Sequence, residues 1–408
     1  MCGICGELRL DGQAGRHDVI ERMLLKLARR GPDFEDQWQE GPLALGHRRL
    51  AIIDLSERAN QPMVDQELGL VLVFNGSIYN YRELRADLIK EGYHFFSEGD
   101  SEVIIKAYHK WGERCPEYLH GMFAFAIWDP RTQSLFLARD RMGIKPLYFS
   151  QRDQFFRFAS NSQALLAGGE VDAHIDAVAL HHQLTLHGVV PAPRTILSGV
   201  RKLVPGTSLT IKLDCTVTQR RYWHLSAERP AEPRSEQEWT DAIHTALCEA
   251  VRKRLEVADV PVGVLLSGGL DSSLLVALLA EAGVKDLLTF SIGFEDQPEE
   301  KGSEFEYSDQ VVARYQTRHH KYHIPNAEVL PHLPEAVRHM AEPMVGQDAV
   351  AFYLLAERVS QEVKVVQSGQ GADEVFAGYF WFPRMHEDIN GTPVERFARY
   401  YFDRPHSE

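Results

Sequence analysis

The sequence has few cysteines, no excess of basic residues and no long apolar run. Its five cysteines among 408 residues are too few and too scattered for a disulfide framework, which favours a reducing compartment. The formal net charge of -14 argues against a nucleic acid or an anionic membrane as the main partner. No signal-peptide pattern opens the chain, and the longest strongly apolar run, LLVALLA, is too short to cross a bilayer. We therefore expect a cytoplasmic protein that acts on small molecules.

The first half of the chain reads as strands with two helices. Runs such as LGLVLVFNG, GMFAFAIWD and SLFLARD are joined by short polar turns, which predicts antiparallel hairpins. The segment DVIERMLLKLARRGP predicts a helix with an Asp18/Glu21 capping box and one apolar face. That face comprises Val19, Ile20, Met23, Leu24 and Leu27.

The second half follows a different pattern. The segment SAERPAEPRSEQ has the composition of a linker. After it, the runs VPVGVLL, LLTFSIGF, HHKYHI and VKVVQS are separated by helical stretches, which predicts a parallel α/β sheet with helices on both faces. We therefore predict one domain over residues 2–215, a linker over 216–236 and a second domain over 237–408.

A loop between a buried strand and a helix carries the strongest motif, SGGLDSS at Ser267–Ser273. Adjacent glycines let a phosphate approach the backbone, and the helix start offers unpaired N–H groups. The serine hydroxyls add donors, and Asp271 can hold the Mg²⁺ that accompanies a nucleotide. The Walker lysine is missing. A Gly-Gly turn with an aspartate cap is the structural alternative.

A second loop, VKVVQSGQGADEVFAGY, also follows a predicted strand. Ser368 and Gly369 would reach the nucleotide, and Asp373 would supply a second carboxylate to Mg²⁺. Alone this loop is weak evidence, but beside the first it forms the opposite wall of one pocket at the carboxyl ends of parallel strands.

The opening MCGIC has two interpretations. Cys2 and Cys5 have redox or zinc spacing, but no second C-x-x-C supplies the other ligands of a zinc site. Alternatively, removal of Met1 gives Cys2 both a thiol and an α-amine, whose ordinary pKa of about 7.7 to 8.0 suits a base. The amine would take the thiol proton, and the thiolate would attack the side-chain amide of glutamine. Cys5 is then a buried core thiol.

Motifs along nearly the whole chain resemble the glutamine-dependent asparagine synthetase family. In order they include MCGICG, RRGPD, HRRLAIIDLS, NGSIYNYREL, GDSEVI, ARDRMGIKPLY, LSGGLDSS, TFSIGF and SGQGADEVFAGY. The resemblance implies an N-terminal nucleophile hydrolase sandwich (αββα), which hydrolyses glutamine, followed by an α/β domain that binds the adenine nucleotide. It implies glutamine, ATP and a carboxylate acceptor as substrates, Mg²⁺ as cofactor, and ammonia passing between the domains.

The resemblance also assigns roles to individual residues. Cys2 is the nucleophile, and Asn75 with the Gly76 N–H forms the oxyanion hole. Glutamine would contact Arg49 through its carboxylate and Asp100 through its ammonium, in a pocket with Ile52, Ile53, Asn75, Gly76 and Ser77. ATP would contact Leu266, Ser267, Gly268, Gly269, Asp271, Ser272, Ile292, Ser368 and Gly369. Asp271 and Asp373 would bind the metal.

Three features depart from the asparagine-forming pattern. Ser77 and Gln370 stand where those members have Glu, and the Glu at the second position is associated with activation of the aspartate acceptor. Together with YFDRPHSE, these departures resemble the branch that amidates N-acetylglutaminylglutamine, which we take as the preferred acceptor over aspartate. Family members also continue beyond the equivalent of Glu408, with a lysine near the pyrophosphate, so we expect the second domain to be truncated.

Three other functions stay open. They are a glutaminase without synthesis, a non-catalytic nucleotide-binding module and a β-lactam-forming relative, although such relatives do not need a working Cys2. A homodimer is kept open as the assembly.

Overall fold

The computed structural model describes residues 1–228, 230–296, 302–344, 348–402 and 404, which form two units. The first unit comprises residues 1–180 and 190–229, and the second comprises 181–189 and 230–408. Helix-forming residues at Ala177–Thr185 span the division between them. Each unit is described separately below.

The first unit contains twelve strands among the described residues. They are β1 Gly3–Arg9, β2 Phe34–Glu40, β3 Leu43–Arg49, β4 Met63–Asp65, β5 Leu70–Ile78, β6 Gly121–Asp129, β7 Ser134–Arg139, β8 Tyr148–Arg152, β9 Phe155–Ala159, β10 Arg201–Lys202, β11 Thr207–Lys212 and β12 Val217–Arg221. Its α-helices are α1 His17–Leu25, α2 Tyr81–Lys90, α3 Asp100–Trp111, α4 Ser162–Ala167 and the shared α5 Ala177–Thr185.

These strands form two six-stranded sheets. One has the order β10-β8-β9-β1-β3-β2 and the other β12-β11-β7-β6-β5-β4. All of the pairings between these strands are antiparallel, as the hairpin turns predict. Strand β12 occupies part of the segment that the sequence assigns to a linker, and it pairs with β11.

The two sheets stack on a shared apolar core. Ile4, Leu45 and Phe158 from the first sheet join Val73 and Leu137 from the second in one buried cluster. Helix α1 packs on β1 and β3 of the first sheet, while α3 packs on β4 and β5 of the second. The layers are therefore helix, sheet, sheet and helix, so the predicted αββα sandwich is confirmed.

Helix α1 confirms the predicted apolar face but not its predicted cap. Val19, Ile20, Met23 and Leu24 are buried. The helix starts at His17, two residues earlier than the capping-box pattern requires, and no side chain caps it. The Asp18 carboxylate instead accepts a hydrogen bond from Arg22 at 2.6 Å, since residues four apart lie side by side on a helix.

The second unit contains four described strands and eight further helices. The strands are β13 Val262–Leu265, β14 Leu288–Phe294, β15 Arg318–Ile324 and β16 Val365–Gln367. The helices are α6 Glu236–Glu256, α7 Leu270–Glu281, α8 Phe305–Tyr315, α9 Asn326–His339, α10 Asp348–Val359, α11 Ala372–Phe376, α12 Trp381–Glu387 and α13 Pro393–Tyr401.

The four strands correspond to the four apolar runs of the sequence, and all of their pairings are parallel. Their order is β15-β14-β13-β16. Val264 and Leu266 pack toward α6, α7 and α8, whereas Leu265 and Phe290 pack toward α10. Because alternate residues of β13 face opposite clusters, both faces of the sheet are covered. The predicted α/β domain is therefore confirmed.

No helix among the described residues is long and apolar enough to cross a membrane.

Candidate active sites

Cys2 lies immediately before β1, where its thiol meets the end of β3. The backbone N–H of Leu50 donates to Cys2 Sγ at 3.4 Å, and Sγ lies 3.7 Å from the Leu50 carbonyl oxygen. Burial raises the pKa of the Cys2 thiol, while the Leu50 N–H and the charge of Arg49 act in the opposite direction. The thiol therefore stays protonated until a base removes its proton.

Asn75 and Ser77 present unpartnered polar atoms at the end of β5. Asn75 is 1% exposed, and neither Nδ2 nor Oδ1 of its amide has a hydrogen-bond partner. Ser77 is 7% exposed, and its Oγ is likewise unpartnered. Buried polar groups without partners are rare because desolvation costs about 1–3 kcal/mol each. Their presence here makes this end of β5 a candidate binding site, where a bound molecule or ordered water would complete these bonds.

The strand geometry explains why these two side chains share a pocket. Residues two apart on a strand face the same side of a sheet. Val71 and Val73 pack into the core between the two sheets, so Asn75 and Ser77 continue that face toward the strand end. The apolar layer between the sheets thus ends in polar groups.

Arg49 ends β3 and is 6% exposed. Its Nη1 donates to the Ser56 carbonyl at 2.8 Å and to Asn60 Oδ1 at 2.6 Å, and its Nη2 donates to the Asp54 carbonyl. The loop that follows β3 therefore fixes the guanidinium. Ile52 and Ile53 lie half-buried in this same loop.

Asp100 begins α3 and is 4% exposed. Its Oδ2 accepts the N–H of Ile78, the last residue of β5, at 2.9 Å. The charges of Asp100 and Arg49 both influence the pKa of Cys2, so the structure brings these three predicted residues together. Gly76 lies between Asn75 and Ser77, and a Cβ there would come within 2.3 Å of the Met122 carbonyl oxygen. Only glycine fits this position.

Asp54 joins two loops around this pocket. Its Oδ1 accepts hydrogen bonds from the Ser56 N–H at 3.1 Å and hydroxyl at 2.6 Å, and its Oδ2 accepts the Glu98 N–H at 2.8 Å. Burial opposes ionisation, but these hydrogen bonds hold the pKa of the Asp54 carboxyl below its usual range. The carboxylate thus ties the loop after β3 to the segment before α3.

Two cations beside Cys2 were not predicted from the sequence. Arg30 donates from Nε to the Cys2 carbonyl oxygen at 3.0 Å, and its Nη2 is buried without a partner. Lys145 is 4% exposed, and its Nζ lies 2.9 Å from Met1 Sδ. Burial lowers the pKa of Lys145 to about 8. Both residues occur in the quoted motifs RRGPD and GIKPLY, but only the tertiary structure reveals their burial.

His47 is a buried imidazole near the same strand ends, and it is a poor candidate for a base. Its Nε2 lies 3.2 Å from the Phe74 carbonyl oxygen, which links β3 to β5. Burial lowers the pKa of His47 to about 3. The ring is neutral at physiological pH and cannot hold a proton taken from a thiol.

In the second unit, the SGGLDSS loop connects β13 to α7. Gly268 has φ of +93°, and a Cβ there would lie 2.6 Å from the Ser308 backbone nitrogen. Gly269 has φ of -67°, and a Cβ there would meet only Ser267 Oγ at 3.4 Å. Packing therefore requires glycine at 268, whereas 269 faces open space. Leu270, the first residue of α7, is 83% exposed.

The hydroxyl groups of this loop bond to one another and to its backbone. Ser267 Oγ lies 3.1 Å from Ser272 Oγ and accepts the Gly269 N–H at 3.2 Å. Ser273 Oγ donates to the Gly269 carbonyl at 2.7 Å. These bonds preorganise a turn whose outer surface is solvent-exposed, as a phosphate-binding loop requires.

The second predicted loop contacts the first. A Cβ on Gly369 would lie 2.9 Å from Asp271 Cβ and 3.2 Å from the Ser272 nitrogen, so the two backbones approach closely. Ser368 Oγ accepts the Gln370 N–H at 3.3 Å, and both side chains are exposed. Asp373 lies further on, in α11, beside Gly378.

A cleft of about 120 Å³ adjoins the first loop and includes Ser267 and Ile292 in its wall. The neighbouring Leu266 is 1% exposed and packs into the core. Its N–H donates to Phe290, and its carbonyl accepts from the Ser291 hydroxyl. A nucleotide contact at Leu266 would therefore use the second lone pair of its carbonyl oxygen.

These features fit a nucleotide phosphate with an accompanying divalent cation. The loop offers a glycine with positive φ, a close backbone crossing at Gly369 and an exposed helix start, and Asp271 supplies the hard oxygen ligand that Mg²⁺ prefers. Residues 403 and 405–408 of the segment YFDRPHSE lie outside the described residues.

Comparisons with known proteins match both halves of the chain. Residues 1–223 match the glutamine amidotransferase domain family, and residues 242–402 match the asparagine synthase family. Asparagine synthetase [glutamine-hydrolyzing] 3 of Bacillus subtilis is 34% identical over 402 residues, which cover 94% of this chain and 64% of that protein. A putative asparagine synthetase of Methanocaldococcus jannaschii is 35% identical, covering 93% of this chain and 76% of that protein.

Other relatives are more varied. Amidase chyE of Penicillium rubens is 31% identical over 93% of this chain and 59% of its own length. A solved glutamine phosphoribosylpyrophosphate amidotransferase from Bacillus subtilis has a TM-score of 0.42 and 16% identity, covering 79% of this chain and 81% of that chain. That similarity is too weak to support a functional comparison. The chain spans about three fifths of the length of the Bacillus synthetases.

Proposed function

This chain belongs to the glutamine-hydrolysing asparagine synthetase family, and from that membership we propose that it transfers the amide nitrogen of glutamine to a carboxylate acceptor at the expense of ATP. The observation that carries the proposal is the unpartnered, buried amide of Asn75 on β5, a strand that contacts β1, the strand that directly follows Cys2. An enzyme keeps such a group unsatisfied when the reacting molecule supplies its partner.

Glutamine hydrolysis would begin with proton transfer from the Cys2 thiol to its own α-amine, exposed by removal of Met1. Burial lowers the pKa of the terminal amine of the unprocessed chain to about 5, so the same surroundings favour a neutral amine after processing. The thiolate adds to the amide carbon, the amine returns the proton to the leaving nitrogen, and ammonia departs. Water then hydrolyses the thioester to glutamate.

The pocket supplies the charges that this reaction needs. Asn75 Nδ2 and the Gly76 N–H would donate to the oxyanion that develops on the amide oxygen. Arg49 would bind the α-carboxylate of glutamine and Asp100 its α-ammonium, with Ser77 adding a hydroxyl. Ile52 and Ile53 would line the remaining wall.

Synthesis would use the second unit. A carboxylate oxygen of the acceptor attacks the α-phosphorus of ATP, pyrophosphate leaves, and the acyl-adenylate loses AMP to ammonia. The SGGLDSS loop, Ile292, Ser368 and Gly369 would hold the nucleotide, and Asp271 with Asp373 would bind Mg²⁺. The loop geometry and the cleft beside Ser267 support this assignment.

For the acceptor we propose N-acetylglutaminylglutamine, with aspartate as the alternative. Gln370 carries no charge where aspartate-using members have a carboxylate, and its exposed side chain lies beside Ser368 in the second loop. A neutral side chain changes the electrostatic selection of an acceptor that carries its own charges. A relative named as an amidase rather than an asparagine synthetase is compatible with varied acceptors in this family.

The test is to incubate the purified chain with ATP and glutamine and to add each acceptor separately. We expect glutamate and AMP in equal amounts with the dipeptide. AMP with aspartate alone would overturn the acceptor. If glutamate forms without AMP under all conditions, the function is that of a glutaminase alone. If the Cys2→Ala variant still forms glutamate, the proposed nucleophile is refuted.

A further inference from the structure

A second cluster of reactive side chains lies away from both candidate sites. His244 and Cys248 are one turn apart on α6, and Glu281 is the last residue of α7. His244 Nε2 lies 3.6 Å from Cys248 Sγ and 3.2 Å from Glu281 Oε2, and the three ligand atoms lie within 4.8 Å of one another. Among the described residues, it is the only group of three or more His, Cys, Asp or Glu side chains with this convergence.

In the absence of a metal, these side chains can satisfy one another by hydrogen bonds. A neutral imidazole donates from one ring nitrogen and accepts at the other. His244 Nε2 can donate to Glu281 at 3.2 Å, and the Cys248 thiol lies 3.6 Å from Nε2 and 3.9 Å from Nδ1, which can accept its hydrogen. A cation placed among the three atoms would accept electron pairs from all of them.

The two separations from Nε2 are close to those of tetrahedral coordination. Zinc bonds of about 2.3 Å to sulfur, 2.0 to 2.1 Å to nitrogen and 2.0 to 2.2 Å to oxygen give ligand–ligand separations of about 3.6 Å for S···N and about 3.4 Å for N···O. The observed separations are 3.6 and 3.2 Å, but Sγ also lies 3.9 Å from Nδ1, so the His244 ring must turn for the Nε2 lone pair to point at the metal. The Glu281 side chain is 59% exposed, so it is free to rotate the small distance that brings its oxygen closer to Cys248.

The charge environment also favours a cation. Glu281 places a carboxylate at the C-terminal end of α7, where the helix dipole is negative, and the last turn of α7 contains no basic residue. Cys248 packs against the core cluster beneath α6, which fixes its sulfur in place. A soft sulfur beside imidazole and carboxylate is a ligand set that suits zinc better than magnesium or calcium.

We propose that His244, Cys248 and Glu281 form a zinc site that clamps α6 to α7, with water as the fourth ligand. The clamp joins two helices that already pack together, so its effect is on stability rather than on the reaction. The site depends on no step of the proposed function.

The test starts from reduced full-length chain treated with a chelator. We expect one Zn²⁺ per chain in competition with a chromophoric chelator, and a rise in the unfolding temperature on Zn²⁺ addition. Replacing Zn²⁺ by Co²⁺ should give a thiolate-to-metal charge-transfer band. Cys248→Ser should remove the band, and His244→Ala and Glu281→Gln should each weaken Zn²⁺ binding about tenfold or more.

Matched variants separate this site from other thiols and imidazoles. Cys215→Ser removes an exposed cysteine, and His174→Ala removes an exposed histidine that pairs with Asp172. Both should leave Zn²⁺ affinity and the cobalt band unchanged. Equal affinity in all variants, or a band lost only in Cys2→Ala, would overturn the proposal. Far-ultraviolet circular dichroism and an unfolding temperature equal to that of the metal-free parent chain would show that metal-free Glu281→Gln folds.

Discussion

The two candidate sites differ in how their polar groups are held. In the first unit, Asn75 and Ser77 are buried with unpartnered atoms, and Arg49 and Asp100 are almost fully enclosed. In the second unit, the hydroxyls of the SGGLDSS loop bond to one another, and Leu270 is exposed beside them. In the first unit, the unpartnered polar atoms carry a desolvation cost that a bound ligand would reduce. In the second unit, the loop forms its own hydrogen bonds and is open to solvent.

This difference indicates what each unit is built to do. A pocket of desolvated donors is preorganised for a charge that develops during reaction, where a low dielectric strengthens each contact. An open loop with helix N–H groups suits a large, highly charged substrate that brings its own cation. Substitutions should therefore affect activity in the first unit and backbone conformation in the second.

The largest effect is expected at Cys2, the proposed nucleophile. Cys2→Ala removes the thiol and should lower glutamate release by about 10³-fold or more. AMP formation with added ammonia should persist, because the second unit is unchanged. The exposed Cys215 is the matched control, and Cys215→Ala should behave as the parent chain. Loss of the ammonia-dependent reaction in Cys2→Ala would show that the two activities are not separable.

A smaller effect is expected at Asn75, a proposed oxyanion-hole donor. Asn75→Ala should lower kcat for glutamine hydrolysis by about 10² to 10³-fold, the usual effect of removing one such donor, with little change in unfolding temperature. Gln61 is the matched buried amide, because it donates to Ser101 Oγ at 3.1 Å and accepts the Phe74 N–H at 2.6 Å. Gln61→Ala should instead lower stability by about 2 kcal/mol. The reverse pattern would contradict the contrast between the two sites.

The two adjacent glycines of the SGGLDSS loop test the second unit. Gly268→Ala should destabilise that unit by about 3 kcal/mol, because the positive φ strains alanine and the new methyl group meets the Ser308 backbone. Gly269→Ala should fold normally. Any loss of nucleotide affinity in this variant would then show that the new methyl group obstructs the approach of the nucleotide to the loop. Denaturant unfolding and nucleotide binding separate the two effects. Equal stability of both variants would refute the packing argument.

The smallest effect is expected at Lys145. Because the folded pKa is about 8, below the ordinary 10.5, the protonated lysine costs stability below pH 8, and the cost disappears as the pH approaches 10.5. Lys145→Met should therefore stabilise the chain by about 2 kcal/mol at pH 7 and hardly at all near pH 10.5. Urea unfolding at both pH values measures this difference. A pH-independent gain would indicate packing alone.

The same variant should move the pH profile of glutamine hydrolysis. The Lys145 charge lowers the pKa of the Met1 amine in the unprocessed chain, and we expect the same direction for the Cys2 amine, so loss of this charge should shift the acid limb toward higher pH. An unchanged pH profile would mean that Lys145 affects only stability and not the pKa of the terminal amine.

The sheets, the SGGLDSS loop and the choice of Cys2 as the proposed nucleophile can all be predicted from the sequence, because each depends on a local pattern. Alternating apolar residues set β5, and Gly268 with Gly269 sets the turn before α7. The burial of Lys145 and Arg30 beside Cys2 could not be predicted from the sequence. Lys145 is buried by a contact with Met1, more than a hundred residues away in the chain. Arg30 contacts the Cys2 carbonyl oxygen only because the sheet has folded. The predicted Asp18 cap is wrong because α1 already starts at His17, which places Asp18 inside the helix, where its carboxylate accepts a hydrogen bond from Arg22. The substrate roles of all these residues stay predictions.

Asp54 has a consequence for the kind of molecule that the first pocket would admit. Its backbone carbonyl accepts a hydrogen bond from Arg49, and its carboxylate accepts one from the N–H of Glu98, two residues before Asp100. One residue therefore sets the spacing between a fixed positive and a fixed negative group. A free amino acid carries its opposite charges at a constant separation around a single carbon, so Asp54 would fix the charge spacing that such a ligand must match.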